Sequence, residues 1–247
     1  MIYLNNQIGL KRERDKMYTW LETVMNEQYD IEKILKRTNE KSIILLRNKH
    51  NGKIIVLKKY KGNSEVYKML INIYHRNLPI IYEAVSEGDK CIIVEEYIEG
   101  YSVGEILEAG WYTEEGVEKV IKQLVEVLDI LHKRNIVHRD IKPENIIVSK
   151  DGVVKLIDFN ISRVYDSDAG KDTTILGTTG FAAPEQYGIA ESDPRADIYA
   201  MGILINVMLT GEHPAKKLCL GKWKRIVNKC TRINPEERYQ CVKDIVQ

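Results

Sequence analysis

No zinc or disulfide framework is written into the four cysteines of this 247-residue chain. Cys91, Cys219, Cys230 and Cys241 show no CxxC spacing and no pairing with histidines that suggests a metal. Cys91 falls in an apolar, strand-like run and reads as a buried thiol, so the compartment is expected to be reducing. Charge of one sign is also lacking. The formal net charge is +1, so no whole-molecule field steers the chain toward nucleic acid or a membrane surface. Lys11, Arg12, Arg14 and Lys16 alternate with Glu13 and Asp15, which reads as a solvated helix face rather than an anchor. No apolar run approaches the roughly 18 residues of a membrane span, and the N-terminus has no secretory h-region. The expectation is a cytoplasmic protein with no nucleic-acid partner and no membrane segment in this chain.

What is present is enough chain for a sizeable core, as one large domain or two lobes. Met17, Trp20, Leu21, Val24 and Met25 recur at helical spacing within residues 1–28. That pattern predicts a helix packed on the following region, with a partner-binding helix as the alternative. From Tyr29 the pattern shortens into strands over 31–35, 42–47 and 53–59, with His50-Asn51-Gly52 as a turn. A helix is predicted over 64–74, then strands over 78–85 and 90–97 around Glu87-Gly88-Asp89. Beyond Ser102 helices dominate. Thr113 is a predicted N-cap, followed by Glu114 and Glu115 in the first turn of a helix whose apolar positions exceed one face. Glu99-Gly100 interrupts the strand pattern and marks the expected boundary between the two parts.

Chemistry concentrates in residues 138–185. His138-Arg139-Asp140-Ile141-Lys142-Pro143-Glu144-Asn145 comes first, Asp158-Phe159-Asn160 follows an apolar strand, and Ala183-Pro184-Glu185 closes the window. Phosphoryl transfer needs a carboxylate near the attacking hydroxyl, oxygen ligands for magnesium and a cation to offset phosphate charge. Asp140 can be the first, Asn145 and Asp158 the second, and Lys142 part of the third. Each short word alone is weak, but their order and spacing agree.

These words together resemble a eukaryotic-type protein kinase of the bacterial serine/threonine group, from about residue 29 onward. The resemblance implies an α+β, bilobal protein kinase-like fold: an extension over 1–28, a small antiparallel-sheet N-lobe with an αC helix over 29–98, and a mostly helical C-lobe over 99–247. It implies transfer of the ATP γ-phosphoryl group to a protein serine or threonine hydroxyl, the chain itself among the substrates. Magnesium is the expected ion, with manganese as an alternative. Asp140 and Lys142 would be catalytic, and Asn145 and Asp158 would hold metal and nucleotide. In Ile55-Val56-Leu57-Lys58, Lys58 would contact the α- and β-phosphates. Strand alternation allows only one of Lys58 and Lys59 to do so. Glu65 would be the αC partner of Lys58, although its spacing to Leu70 and His75 is one residue longer than usual. Arg139 would receive a phosphate from the segment 158–185, with Thr173 and Thr174 as candidates. Thr178 would bridge Asp140 and Lys142. Glu185 would pair with Arg238, and Asp197 would anchor the catalytic-loop backbone.

Departures from the family pattern are equally readable. The three nucleotide-loop glycines fall on Lys36, Thr38 and Lys41, which implies weaker nucleotide binding. Asn160 stands where the family has glycine, a position read as needing tolerance of positive φ. Glu95 occupies the residue guarding the back pocket, either salt-bridged or neutral. The stretch between Pro214 and Arg238 is short, so a helix that docks substrates is expected to be truncated. The rival readings are a regulatory pseudokinase and a small-molecule phosphotransferase. Lys142 and the segment 177–185 argue against the second.

Overall fold

The computed structural model describes residues 19–165, 178–187 and 192–247. It divides into two units. One takes the chain up to Tyr74 together with Pro79–Tyr97, and the other takes His75–Leu78 and Ile98–Gln247.

The first unit is built on an antiparallel sheet of order β1-β2-β3-β5-β4. The strands are β1 (Tyr29–Arg37), β2 (Lys41–Asn48), β3 (Ile54–Lys61), β4 (Ile81–Glu87) and β5 (Lys90–Glu96). The β2–β3 turn is closed by the Asn48 side chain, which accepts from the backbone of His50 and Asn51, and by Gly52 at φ +70°. Helix α1, described over 19–28, covers one face. Its Leu21 joins a buried cluster with Ile44, Leu46, Ile55, Leu57, Val85, Ile92 and Val94, and Met25 packs against that cluster. The described part of the predicted helix therefore packs on the sheet.

Helix α2 (Glu65–Leu70) buries Val66, Tyr67 and Leu70. It is shorter than the predicted 64–74. After Leu70 the backbone tightens to i→i−3 bonds, from Asn72 N–H to Met69 and from Ile73 N–H to Leu70. Asn72 between β-branched Ile71 and Ile73 gives that turn little helical preference.

The second unit is mostly helical. α3 (Val103–Ala109) starts in a reciprocal cap, in which the Ser102 hydroxyl accepts from Glu105 N–H and the Glu105 carboxylate accepts from Ser102 N–H. α4 (Glu114–His132) is capped by Thr113 as the sequence predicts, and its buried residues run from Val117 to Leu131 on more than one face. α5 (Pro194–Thr210) buries twelve of its residues, Asp197 among them, and α6 (Gly221–Cys230) packs on it. Two small sheets carry the loops of interest. One is β6 (Gly100–Ser102), β8 (Ile146–Ser149) and β9 (Val154–Leu156), and the other pairs β7 (Ile136–Val137) with β10 (Arg163–Val164). Among the described residues no helix is long and apolar enough to cross a membrane.

Gly202 sets how closely α5 and α6 approach. A Cβ at this position would lie 2.5 Å from Cys230 Cβ and 3.0 Å from Thr231 Cγ2. Alanine would gain about 1 kcal/mol of helix propensity, but forcing the helices apart costs about 1–3 kcal/mol. Gly202→Ala is therefore expected to be net destabilising in urea unfolding, and Cys230→Gly in the same chain should recover part of the loss.

Candidate active site

In the second unit, β7 delivers the chain into the loop 138–142, and a 3-10 turn at Pro143–Asn145 leads into β8. The Asp140 carboxylate is held from three directions. Its Oδ1 accepts from the Thr178 hydroxyl at 2.7 Å. Its Oδ2 accepts from Asn145 Nδ2 at 2.9 Å and lies 2.9 Å from Lys142 Nζ. Lys142 Nζ also donates to Thr178 Oγ1 at 2.7 Å, so the threonine hydroxyl sits between carboxylate and ammonium. The carboxylate thus has one orientation and a cation beside it.

Strand pairing brings Asn145 to Ile157, the residue before Asp158. Ile146 faces Leu156 in the β8–β9 ladder, and Ile157 N–H donates to Asn145 O at 2.9 Å. Asn145 spends both Nδ2 hydrogens on Asp140, one on the backbone carbonyl at 2.8 Å and one on the carboxylate. Its amide oxygen takes no part in these two bonds and could serve as a metal ligand. One amide and one carboxylate are hard oxygen donors that suit magnesium, which keeps waters and takes its remaining ligands from phosphates. Asp158 adopts φ +67°. Among the described residues the other non-glycine positive φ angles are at Asn135 and Arg139. The left-handed backbone read for position 160 therefore lies at Asp158, and Asn160 does not need glycine's freedom here.

Asp197 of α5 holds the loop from beneath. Its carboxylate accepts from His138 N–H at 2.9 Å, Arg139 N–H at 2.8 Å and His132 Nε2 at 2.9 Å. Burial pushes its pKa up, but the His132 bond, the nearby histidines and the Arg139 amide outweigh this and hold it below the usual carboxylate range. His138 is fully buried and its pKa is lowered, chiefly by burial. Its Nδ1 accepts from Asp140 N–H and its Nε2 faces Ile157 O, an arrangement that fits the neutral ring with hydrogen on Nε2. The ring stacks edge-on to Phe159, centroids 4.7 Å apart. Both depressed pKa values have the same sign, since the unfolded chain binds more protons. The contribution of these two groups to stability is fully present above about pH 6.5. It should then fall as His138's unfolded form titrates, by up to about 1.4 kcal/mol per pH unit for that proton. Asp197 adds a further loss below its ordinary value of 3.8. Urea midpoints taken from pH 7.5 down to 5 should show this slope, and His138→Gln should flatten it.

Sequence reasoning missed Gln186. It is buried, donates to Arg139 O at 2.9 Å and accepts from Ala183 N–H at 3.0 Å. It ties the loop to the 3-10 turn Pro184–Tyr187. Its place after Pro184-Glu185 in the kinase-like stretch was readable, but no role for it was.

Within the first unit, β3 presents Lys58 and Lys59 to opposite faces. Lys59 pairs with Glu22 of α1 at 2.6 Å. Lys58 is buried and lies 2.6 Å from Glu95 of β5, with side-chain exposures of 3% and 4%. Glu65 is exposed and accepts from Asn63 Nδ2, while its N–H donates to Asn63 Oδ1. The expected Lys58–Glu65 pair is therefore not formed. Glu65 begins α2 on its solvent side, and the next residue inward is the apolar Val66. The hairpin between β1 and β2 is closed by Thr38. Its N–H donates to Lys41 O, and its Oγ1 accepts from the N–H groups of Glu40 and Lys41. Those amides are already used within the turn.

The protein kinase domain model matches residues 29–246. The chain belongs to the protein kinase family. Among curated relatives, the serine/threonine-protein kinase PknL of Mycobacterium tuberculosis is 36% identical over 149 residues, covering 60% of this chain and 37% of that protein. The probable serine/threonine-protein kinase PknB of Bifidobacterium longum is 34% identical over 150 residues, covering 59% and 22%. The serine/threonine-protein kinase cds1 of Schizosaccharomyces pombe is 27% identical over 236 residues, covering 91% and 51%. The chain thus spans about half or less of the length of these kinases.

Two framework features of the kinase domain are resolved in detail. Arg238 forks onto Glu185 at 2.6 and 2.8 Å, and its other donors reach the carbonyls of Arg195, Arg232 and Ile233. Between Pro214 and Arg238, α6 is the one α-helix and is preceded by a short turn. Asn206 braces that turn, donating to Glu212 O and Lys217 O and accepting from Cys219 N–H. Thr173 and Thr174, candidates for a phosphate near Arg139, lie outside the described residues.

Proposed function

We propose that this domain transfers the γ-phosphoryl group of ATP to serine or threonine hydroxyls of proteins, itself among them. The observation that carries this is the Asp140 carboxylate fixed by Thr178, Asn145 and Lys142. Asp140 accepts a hydrogen bond from the acceptor hydroxyl and holds it in line for attack. Lys142 offsets the charge that develops on the transferring group. Asn145 and Asp158 would hold magnesium, or manganese in its place, and Lys58 would meet the nucleotide's α- and β-phosphates. Bound magnesium screens phosphate charge. The free, buried thiols Cys91, Cys219 and Cys230 support a reducing compartment, which we take to be the cytoplasm.

One observation favours a regulatory pseudokinase instead: the amides at the Thr38 turn are committed internally. That argues for weak nucleotide binding. The intact set of acceptor and metal residues argues for retained transfer. Mass spectrometry after incubation with Mg-ATP tests the choice. Phosphate on seryl or threonyl side chains is expected, and it should disappear when EDTA removes the metal. An unmodified chain that also leaves a casein acceptor unmodified would refute transfer.

A further inference from the structure

We infer that Glu95 is the positioning residue for Lys58, taking the part that the sequence assigned to Glu65. This rests on the kinase reading of Lys58 and goes beyond it by naming what orients the ammonium.

In the β3–β5 ladder Lys58 faces Ile93 and Val56 faces Glu95, so Lys58 and Glu95 are diagonal neighbours on one face of the sheet. Diagonal pairs lie within reach of long side chains. The observed separation is 2.6 Å, with both groups almost wholly removed from solvent. A lysine buried this way needs a close opposite charge, and the four-carbon stem otherwise leaves its ammonium mobile. Helix α2 offers no such charge. Its first-turn acid is turned to Asn63 and solvent, and the side chains it buries are Val66, Tyr67 and Leu70. Tyr67 contributes only a hydroxyl at 3.5 Å and a ring centroid 5.8 Å from Lys58 Nζ.

The consequence is mechanical. A carboxylate on a helix orients the lysine only when the helix is docked. Glu95 is in the adjacent strand, so the pair forms with the sheet itself. The orientation of Lys58 is then built into the fold and does not depend on where α2 sits.

The test measures Mg-ATP affinity by calorimetry and kcat and KM for Mg-ATP with casein as acceptor. It uses wild type, Glu95→Gln, Glu95→Asp, Glu65→Gln and Lys58→Met. Glu95→Gln should raise KM for Mg-ATP on the order of tenfold and lower kcat, while Glu65→Gln stays within about twofold. Glu95→Asp keeps the charge but withdraws it by one methylene. It preserves the test if Glu95→Gln does not fold, and it should raise KM about threefold or more with a smaller change in kcat. A purely structural role would lower the unfolding midpoint and leave KM unmoved, which would overturn the inference. So would tighter Mg-ATP binding by Glu95→Gln, because Glu95 would then compete with phosphate for the lysine. If Lys58→Met abolishes binding while both Glu95 variants match wild type, positioning by Glu95 is refuted and the kinase reading stands. If Lys58→Met changes nothing, the reading of Lys58 fails and the inference fails with it.

Discussion

Asp140→Asn should reduce phosphoryl transfer by roughly 10²–10⁴-fold, the range for a positioned general base, while the domain stays folded. The geometry makes this substitution cleaner than alanine. Asp140 Oδ2 receives Asn145 and Lys142, and Oδ1 receives the Thr178 hydroxyl. An asparagine can keep its oxygen toward Asn145 and Lys142 and turn its NH₂ toward Thr178. The threonine oxygen can accept from that NH₂ as well as from Lys142. The hydrogen-bond network therefore survives with one donor reversed, and what is lost is the charge and the ability to accept from a substrate hydroxyl. Mg-ATP affinity should change little, because Asn145 and Asp158, the proposed metal ligands, remain. Initial rates with a protein acceptor, set beside Mg-ATP affinity and the unfolding midpoint, measure all three effects. A rate within a few-fold of wild type would remove Asp140 from the chemistry.

The legibility of this site follows the range of the forces involved. Asp140, Lys142 and Asn145 are close in sequence and Asp158 follows a strand that pairs with β8, so the order and spacing of the kinase-like motifs were legible locally. Thr113 capped its helix as read, because capping is local. The Lys58 partner was not legible in this way. Glu65 and Glu95 are both glutamates, and the choice between them depends on which way α2 faces, a tertiary outcome. The one-residue misfit in spacing was the available signal. It placed apolar Val66 where an acid would need to be, and the structure buries Val66 accordingly. Asn160 is tolerated in place of glycine for a different reason than its residue type suggests, because the positive φ is at Asp158, two positions earlier. Gln186 and Asn206 show a further limit. Both are buried amides whose work is to satisfy backbone groups from distant segments, and no local pattern predicts which carbonyls will need a donor.

Arg238→Met should cost about 3–5 kcal/mol of stability, the range for breaking a buried ion pair. The guanidinium has five N–H donors, and all five are used, two on Glu185 and three on backbone carbonyls. Its side chain has 0% exposure and that of Glu185 8%, so neither water nor a neighbouring cation can replace the lost partner. The loss comes mostly from stranding the carboxylate rather than from the pair's net attraction. Glu185→Leu in the same chain removes the stranded charge and should restore a large part of the stability, a coupling that a double-mutant cycle in urea reads directly. The single variant should also impair transfer, because Glu185 is next to Gln186, which holds Arg139's carbonyl in the loop carrying Asp140. The repacked double variant still lacks the ion pair beside Gln186, so it should recover stability more fully than activity. If activity instead returned in step with stability, the ion pair would serve only the fold, and the Gln186 connection to the Asp140 loop would not depend on it.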